Sequence, residues 1–259
     1  MGMITTSGLA RIWSFTLPSV AVGDSTNVLI ATPRDFNPEK DSGYPFILML
    51  HGWSANETQW KDDANLQALC DTHNILLVLP DGDYNSWWVN SMSQPHRNFD
   101  THLRVEVKNW VIETFNGAPQ PTKHGILGLS MGGYGAIYQI LTHPQQYAAS
   151  VSLSGVMDIT RHQDQWQLAE VFGDYAKYPD RWIHHNPLDL AERDPSPLTP
   201  GILFICGTDD FVYEENHEMV ARLSQNDYEV HFYQPSGAHT HTFWQTHIDT
   251  AVEFIVDHF

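Results

Sequence analysis

An apolar strand pattern that runs straight into a glycine-flanked serine constrains this chain more than any other stretch. The segment Gly125-Ile126-Leu127-Gly128-Leu129-Ser130-Met131-Gly132-Gly133-Tyr134-Gly135 contains Gly-Leu-Ser-Met-Gly, and small residues open a helix directly after it. A strand, a tight turn and a helix in that order hold the middle serine in a strained elbow, and the flanking glycines leave room for strand and helix to cross closely. Ser130 is therefore expected at the carboxyl edge of a sheet. Gly-x-Ser-x-Gly also occurs in plain glycine-rich turns, so its weight depends on partners elsewhere in the chain.

The rest of the chain supplies such a sheet. Strand patterns are expected over 9–18 and 26–32, and the runs Phe46-Ile47-Leu48-Met49-Leu50, Ile75-Leu76-Leu77-Val78-Leu79 and Ile202-Leu203-Phe204-Ile205-Cys206 are continuously apolar, as suits strands covered on both faces. Further strands are expected over 148–153 and 228–233. Helical spacing appears over 59–74, 99–115, from Ser130 to about Leu141, 214–224 and 243–259. The alternation predicts an α/β fold with a mostly parallel central sheet, right-handed crossovers and helices on both faces. Residues 158–200 break it: Trp166, Phe172, Tyr175, Tyr178 and Trp182 are scattered among Asp, Gln and His. We read that stretch as a cap-like excursion within a single domain spanning 1–259. The loop 81–98 carries Tyr84, Trp87 and Trp88 without helical or strand period. It reads as a lid or a substrate contact near the strand ends, where ligands bind in open α/β sheets.

Charge narrows the partners. With 31 acidic against 13 basic residues the formal net charge is -18, which disfavours nucleic acid, anionic membrane surfaces and polyanionic substrates. A neutral or weakly charged small-molecule or carbohydrate-linked substrate fits better, and a homo-oligomer is compatible with the composition. Cys70 and Cys206 lie outside any Cys-x-x-Cys spacing and read as small buried hydrophobes. The segment Met1-Gly2-Met3-Ile4-Thr5-Thr6 lacks the basic stretch and apolar run of a secretory signal, so a cytoplasmic location is the expectation.

A serine hydroxyl is a poor nucleophile near neutral pH and needs a histidine to take its proton and a carboxylate to orient that histidine. Two aspartates, Asp209 and Asp210, follow the 202–206 strand in Cys206-Gly207-Thr208-Asp209-Asp210-Phe211, and spacing alone does not choose between them. Two histidines, His239 and His241, follow the last strand in Pro235-Ser236-Gly237-Ala238-His239-Thr240-His241. The His-x-His spacing invites a metal reading. No third ligand cluster at matching spacing supports it, and His184, His185 and His247 read as surface residues. Neither a metal nor a cofactor is expected. The oxyanion formed on an attacked carbonyl needs two N–H groups already aimed at it. One is expected from Met131 at the start of its helix, and the other from the loop His51-Gly52-Trp53 after the 46–50 strand.

Taken together, Leu50-His51-Gly52, Gly128-Leu129-Ser130-Met131-Gly132-Gly133-Tyr134-Gly135, Gly207-Thr208-Asp209-Asp210-Phe211 and Gly237-Ala238-His239 resemble the esterase D-like branch of the α/β hydrolases. That branch includes tributyrin-type acetylesterases, S-formylglutathione hydrolases, feruloyl esterases and mycolyltransferases, and the likeness runs from about residue 46 to the end. The resemblance implies the α/β-hydrolase fold. It places the acid on Asp210 through Gly-x-x-Asp-Phe, the base on His239 through Gly-x-His, and the oxyanion amides on Trp53 and Met131. Asn186-Pro187-Leu188 also resembles a segment that precedes the acid strand in these esterases. His241 departs from the pattern, since many relatives carry an aromatic residue there. The serine segment is closer to the acetylesterase and feruloyl-esterase versions than to S-formylglutathione hydrolases.

The resulting expectation is a serine carboxylesterase acting on short acyl or feruloyl esters, including carbohydrate-linked ones. Trp53, Trp87 and Trp88 are the expected substrate contacts. An acyltransferase or thioesterase on the same residues is the alternative within enzymes, and a non-catalytic binding protein of this fold is the alternative outside them.

Overall fold

A computed structural model of the chain describes residues 11–192 and 200–259. The amino-terminal hexapeptide, the first two positions of the 9–18 strand and residues 193–199 of the excursion lie outside the described residues. The strands are β1 (Ile12–Ser19), β2 (Asp24–Ala31), β3 (Phe46–Leu50), β4 (Leu76–Pro80), β5 (His124–Leu129), β6 (Ala149–Leu153), β7 (Gly201–Ile205) and β8 (Val230–Tyr233). Between and after them run the helices α1 (Gln59–Asp63), α2 (Leu66–His73), α3 (Phe99–Thr101), α4 (Lys108–Phe115), α5 (Met131–Thr142), α6 (Leu168–Phe172), α7 (Pro179–Ile183), α8 (Pro187–Leu190), α9 (Tyr213–Gln225) and α10 (His241–Asp257).

The strands form one sheet in the order β1-β2-β4-β3-β5-β6-β7-β8. Pairing is antiparallel for β1 with β2 and β2 with β4, and parallel from β4 across to β8. Every residue of β3, β4, β6 and β7 is buried, which is why β3, β4 and β7 read as unbroken apolar runs. Side chains of alternate residues serve two different cores. Phe46, Leu48 and Leu50 of β3 join Val111 of α4 and Ile137 of α5 on one face, while Ile47 and Met49 join Leu69 of α2 and Val252 of α10 on the other. From β3 the chain passes first to β4 on one side and then to β5 on the other. The crevice at the carboxyl ends of β3 and β5 is therefore the switch point where such sheets bind ligands.

Two helical expectations need adjustment. The 59–74 segment is two helices, because Ala64 is extended and the Asn65 side chain caps α2 by accepting from the Ala68 N–H at 3.2 Å. The 99–115 segment contains a π-helical stretch at His102–Val107 between α3 and α4. Its apolar residues Leu103, Val107 and Val111 all reach the same core, so their spacing conceals the wider turn. From that stretch Glu106 accepts from the N–H groups of Val20 and Ala21, tying the β1–β2 turn to the body.

The 158–192 stretch carries α6, α7 and α8, and its Leu168, Phe172, Trp182 and Leu188 are buried in the core that lies on the α5 side of the sheet. The Tyr134 hydroxyl on α5 donates to the His185 carbonyl at 2.8 Å, and the buried Asn186 Oδ1 accepts from the Ile159 N–H at 2.9 Å. Both cysteines are buried free thiols, and burial pushes Cys70 up to about 12. Among the described residues no helix is long and apolar enough to cross a membrane.

Candidate active site

Between β5 and α5 the backbone reverses within a single residue, Ser130, at φ 53° and ψ -116°. This is a sparsely populated region for a residue with a side chain, and surrounding structure has to hold it. The Ser130 N–H donates to the Leu153 carbonyl at 2.9 Å, and its own carbonyl accepts from Tyr134 at 3.0 Å. The glycines are required by contact. A Cβ at Gly128 would lie 2.2 Å from the Gly132 oxygen, and one at Gly132 would lie 2.2 Å from the Leu50 oxygen.

The hydroxyl so presented meets the loops after β7 and β8. His239 Nε2 lies 3.1 Å from Ser130 Oγ, and His239 Nδ1 lies 3.0 and 3.1 Å from the two carboxylate oxygens of Asp210. The structure thus brings Asp210 to the histidine, while Asp209 is exposed. The Asp210 side chain is 0% exposed, and its Oδ1 also accepts from the Val212 N–H at 3.1 Å. The His239 ring is packed edge-to-face against Trp244 at 5.0 Å and at a tilt of 44° against Phe211 at 4.5 Å. Trp244 is itself fixed by its indole N–H, which donates to Ser154 Oγ at 3.1 Å.

The loop leading to Trp53 is tied at four backbone groups before it. The Leu50 carbonyl accepts from Trp60 Nε1 at 3.1 Å and the His51 carbonyl from Trp88 Nε1 at 3.2 Å. The Gly52 N–H donates to Gln59 Oε1, and the Gly52 carbonyl meets His51 Nδ1, both at 2.8 Å. His51 is buried, and its Nε2 accepts from the Gly82 N–H at 2.8 Å, so the ring proton sits on Nδ1 and donates to Gly52. A Cβ on Gly52 would come within 3.5 Å of Ser130 Cβ, which shows how closely this loop passes the serine. Met131, on the other side, is the first residue of α5, where backbone N–H groups have no partner within the helix.

This geometry corrects the placement of Trp87 and Trp88 as lid or substrate contacts. Both are 0% exposed, and neither lines the cavity at Ser130. The physical reason is local: φ is 52° at Trp87 and 56° at Trp88, and two consecutive left-handed residues tuck the indoles beneath the loop. Trp87 packs on Tyr134 at 5.2 Å, and Trp88 braces the His51 carbonyl. Trp88→Phe is expected to leave that buried carbonyl unpaired, costing about 1–3 kcal/mol of stability by urea denaturation. The same variant should lower kcat about 10-fold or more as the Trp53 loop loosens.

A cavity of about 420 Å³ opens over Ser130. Trp53, Trp166, Phe211 and Trp244 supply most of its aromatic wall, and Gln59, Gln165 and His241 supply polar edges. Of the expected contacts only Trp53 is among these. Gln165, Trp166, Gln59 and Trp244 escaped sequence reasoning because they come from three separate segments joined only by the fold. Phe211 had a signal, since it ends the Gly-Thr-Asp-Asp-Phe motif. His241 belongs to the wall but not to the Ser130 hydrogen-bond chain, and its Nδ1 lies 2.9 Å from Asp63 Oδ2. Among the described residues no group of three or more His, Cys, Asp or Glu side chains is placed to hold a metal ion.

A mostly parallel sheet with helices on both faces and a serine elbow at its switch point defines an α/β hydrolase of the serine type. The chain belongs to the Esterase family, whose model matches residues 19–255, and it acts on carboxylic esters. It is similar to an acetyl esterase of Caldicellulosiruptor saccharolyticus, with 25% identity over 248 residues covering 89% of this chain and 92% of the relative. It is also 25% identical over 154 residues to Esterase Rv1288 of Mycobacterium tuberculosis, covering 58% of this chain and 34% of that protein. Among solved structures, the fluorophosphonate-binding serine hydrolase FphF of Staphylococcus aureus superposes with a TM-score of 0.83 at 25% identity, over 96% of this chain and 99% of the other. An S-formylglutathione hydrolase, FrmB, of the same organism superposes at 0.82 with 23% identity, over 96% and 100% of the two chains.

Proposed function

We propose that this protein is a carboxylesterase for short acyl or feruloyl esters, including carbohydrate-linked ones, with Ser130 as nucleophile, His239 as base and Asp210 as the group that orients the base. The observation that carries the reading is the unbroken hydrogen-bond chain from Ser130 Oγ through His239 to the buried Asp210 carboxylate. His239 takes the hydroxyl proton as Ser130 Oγ attacks the ester carbonyl, and the amides of Trp53 and Met131 receive the oxyanion. The tetrahedral species collapses as His239 returns the proton to the departing alcohol, leaving an acyl-serine. Water activated by the same ring then releases the acid. Asp210 stabilises the imidazolium without itself taking the proton.

The acyl preference rests on the aromatic wall and on the likeness to the acetyl esterase. Among the described residues no Asp, Glu, Lys or Arg lines the cavity, which favours a neutral acyl group. In this reading the described part of the excursion, 158–192, is a cap within one domain, contributing Gln165 and Trp166 to the wall. Rates on p-nitrophenyl acetate, butyrate and octanoate, with methyl ferulate alongside, test it. The expected result is a kcat/KM for acetate or for ferulate about 10-fold or more above that for octanoate. No preference for short or cinnamoyl acyl groups would reject the substrate assignment.

A further inference from the structure

A second histidine, His241, stands on the wall of the same cavity with an aspartate, Asp63, bonded behind it, and the acyl-transfer steps leave both unused. His241 Nδ1 is 2.9 and 3.1 Å from the two carboxylate oxygens of Asp63, and Gln245 Nε2 donates to Asp63 Oδ1 at 3.1 Å. The Asp63 side chain is 4% exposed and that of His241 is 63% exposed. The ring edge bearing Nδ1 is therefore turned toward the buried carboxylate at the end of α1, and the opposite edge, bearing Nε2, is turned away from it. An ionised carboxylate only accepts hydrogen bonds, so it fixes the proton of the neutral imidazole on Nδ1 and leaves a lone pair on Nε2.

The position of this acceptor points to one end of the substrate. His239 and His241 both pack edge-to-face on the indole of Trp244, at 5.0 and 5.2 Å. The departing alcohol oxygen has to reach His239 Nε2 to receive its proton, so the group two residues further along the chain, at the start of α10, flanks the alcohol side of the ester. With no Asp, Glu, Lys or Arg side chain among the described residues lining the cavity, the ligand group matched to a neutral acceptor is a hydroxyl. We propose that His241, oriented by Asp63, is a specificity-determining residue that accepts a hydrogen bond from a hydroxyl on the alcohol portion of the ester. This rests on the reading of Ser130 and His239 given above.

The test compares kcat/KM for 2-hydroxyethyl acetate and propyl acetate, a pair that exchanges a terminal hydroxyl for a methyl group at nearly constant size. It is run on the unmodified protein, His241→Phe, His241→Gln, Asp63→Asn and, as the control for the site, Ser130→Ala. The expected preference for the hydroxylated ester is about five- to tenfold above the ratio in His241→Phe, carried mainly in KM, as suits one neutral hydrogen bond. His241→Gln, which keeps an acceptor, should retain part of that preference. Asp63→Asn should lose part of it, because the amide can turn its own N–H toward Nδ1 and release the tautomer. An identical ratio in the unmodified protein and His241→Phe overturns the proposal alone. Undiminished turnover of both esters by Ser130→Ala overturns the site reading and the proposal with it.

Discussion

Ser130→Ala is expected to abolish ester hydrolysis while leaving the fold intact. The substitution removes only the oxygen that lies 3.1 Å from His239 Nε2. The backbone bonds that hold the elbow involve the N–H and carbonyl of residue 130, not its hydroxyl, and alanine carries the same Cβ into the strained conformation. Losing the nucleophile of such a constellation costs roughly 10⁴- to 10⁶-fold in kcat, because binding and oxyanion stabilisation are all that remain. The measurement is hydrolysis of p-nitrophenyl acetate, with circular dichroism and a fluorophosphonate probe alongside. Undiminished hydrolysis with unlabelled residue 130 in the unmodified protein would sink the nucleophile assignment.

Asp210→Asn is expected to cost nearly as much, by a different route. Val212 donates its N–H to Asp210 Oδ1, so an asparagine placed there keeps its carbonyl oxygen on that side. The amide nitrogen then takes the position of Oδ2, 3.1 Å from His239 Nδ1, and presents a hydrogen where a lone pair is needed. The histidine is driven to the tautomer protonated on Nε2, which cannot take the serine proton. The imidazolium formed in the reaction also loses a counter-ion from a position closed to water. A fall of about 10⁴-fold in kcat with a small change in KM is the expected outcome, read by steady-state kinetics. A variant with near-normal kcat would show that another group orients the ring.

Much of this site was legible in the chain because its constraints are local. Gly128 and Gly132 stand where any side chain would meet backbone oxygen at 2.2 Å, so the elbow has to be written in glycine. Strands buried on both faces have to be written in unbroken apolar residues, and β3, β4 and β7 are. The choice of Asp210 over Asp209 was carried by family resemblance alone. Physically it turns on the Gly207 turn and the Val212 amide, which aim one carboxylate inward and which spacing does not reveal.

What stayed hidden depends on long-range packing or on rare backbone states. Trp87 and Trp88 occupy left-handed conformations that bulky residues seldom adopt, and a polar loop gives no periodicity from which to foresee burial. The π-helical turn at His102–Val107 keeps its apolar residues in one core and so imitates an ordinary helix. Trp166 reaches the cavity only because the 158–192 stretch folds back over the sheet, and its pairing with Phe211 at 5.9 Å joins positions 45 residues apart (211 − 166).

The two indoles that hold the loop before Trp53 come from opposite sides of the sheet: Trp88 belongs to the core shared with α4 and α5, and Trp60 to the core shared with α2 and α10. The His51-Gly52-Trp53 loop is thereby bolted through both layers of the protein. Neither bolt can work loose by local fraying, because each indole is embedded in a core whose opening amounts to unfolding that layer. The loop's geometry then has no melting point of its own, and warming the protein leaves it in register until the molecule as a whole gives way.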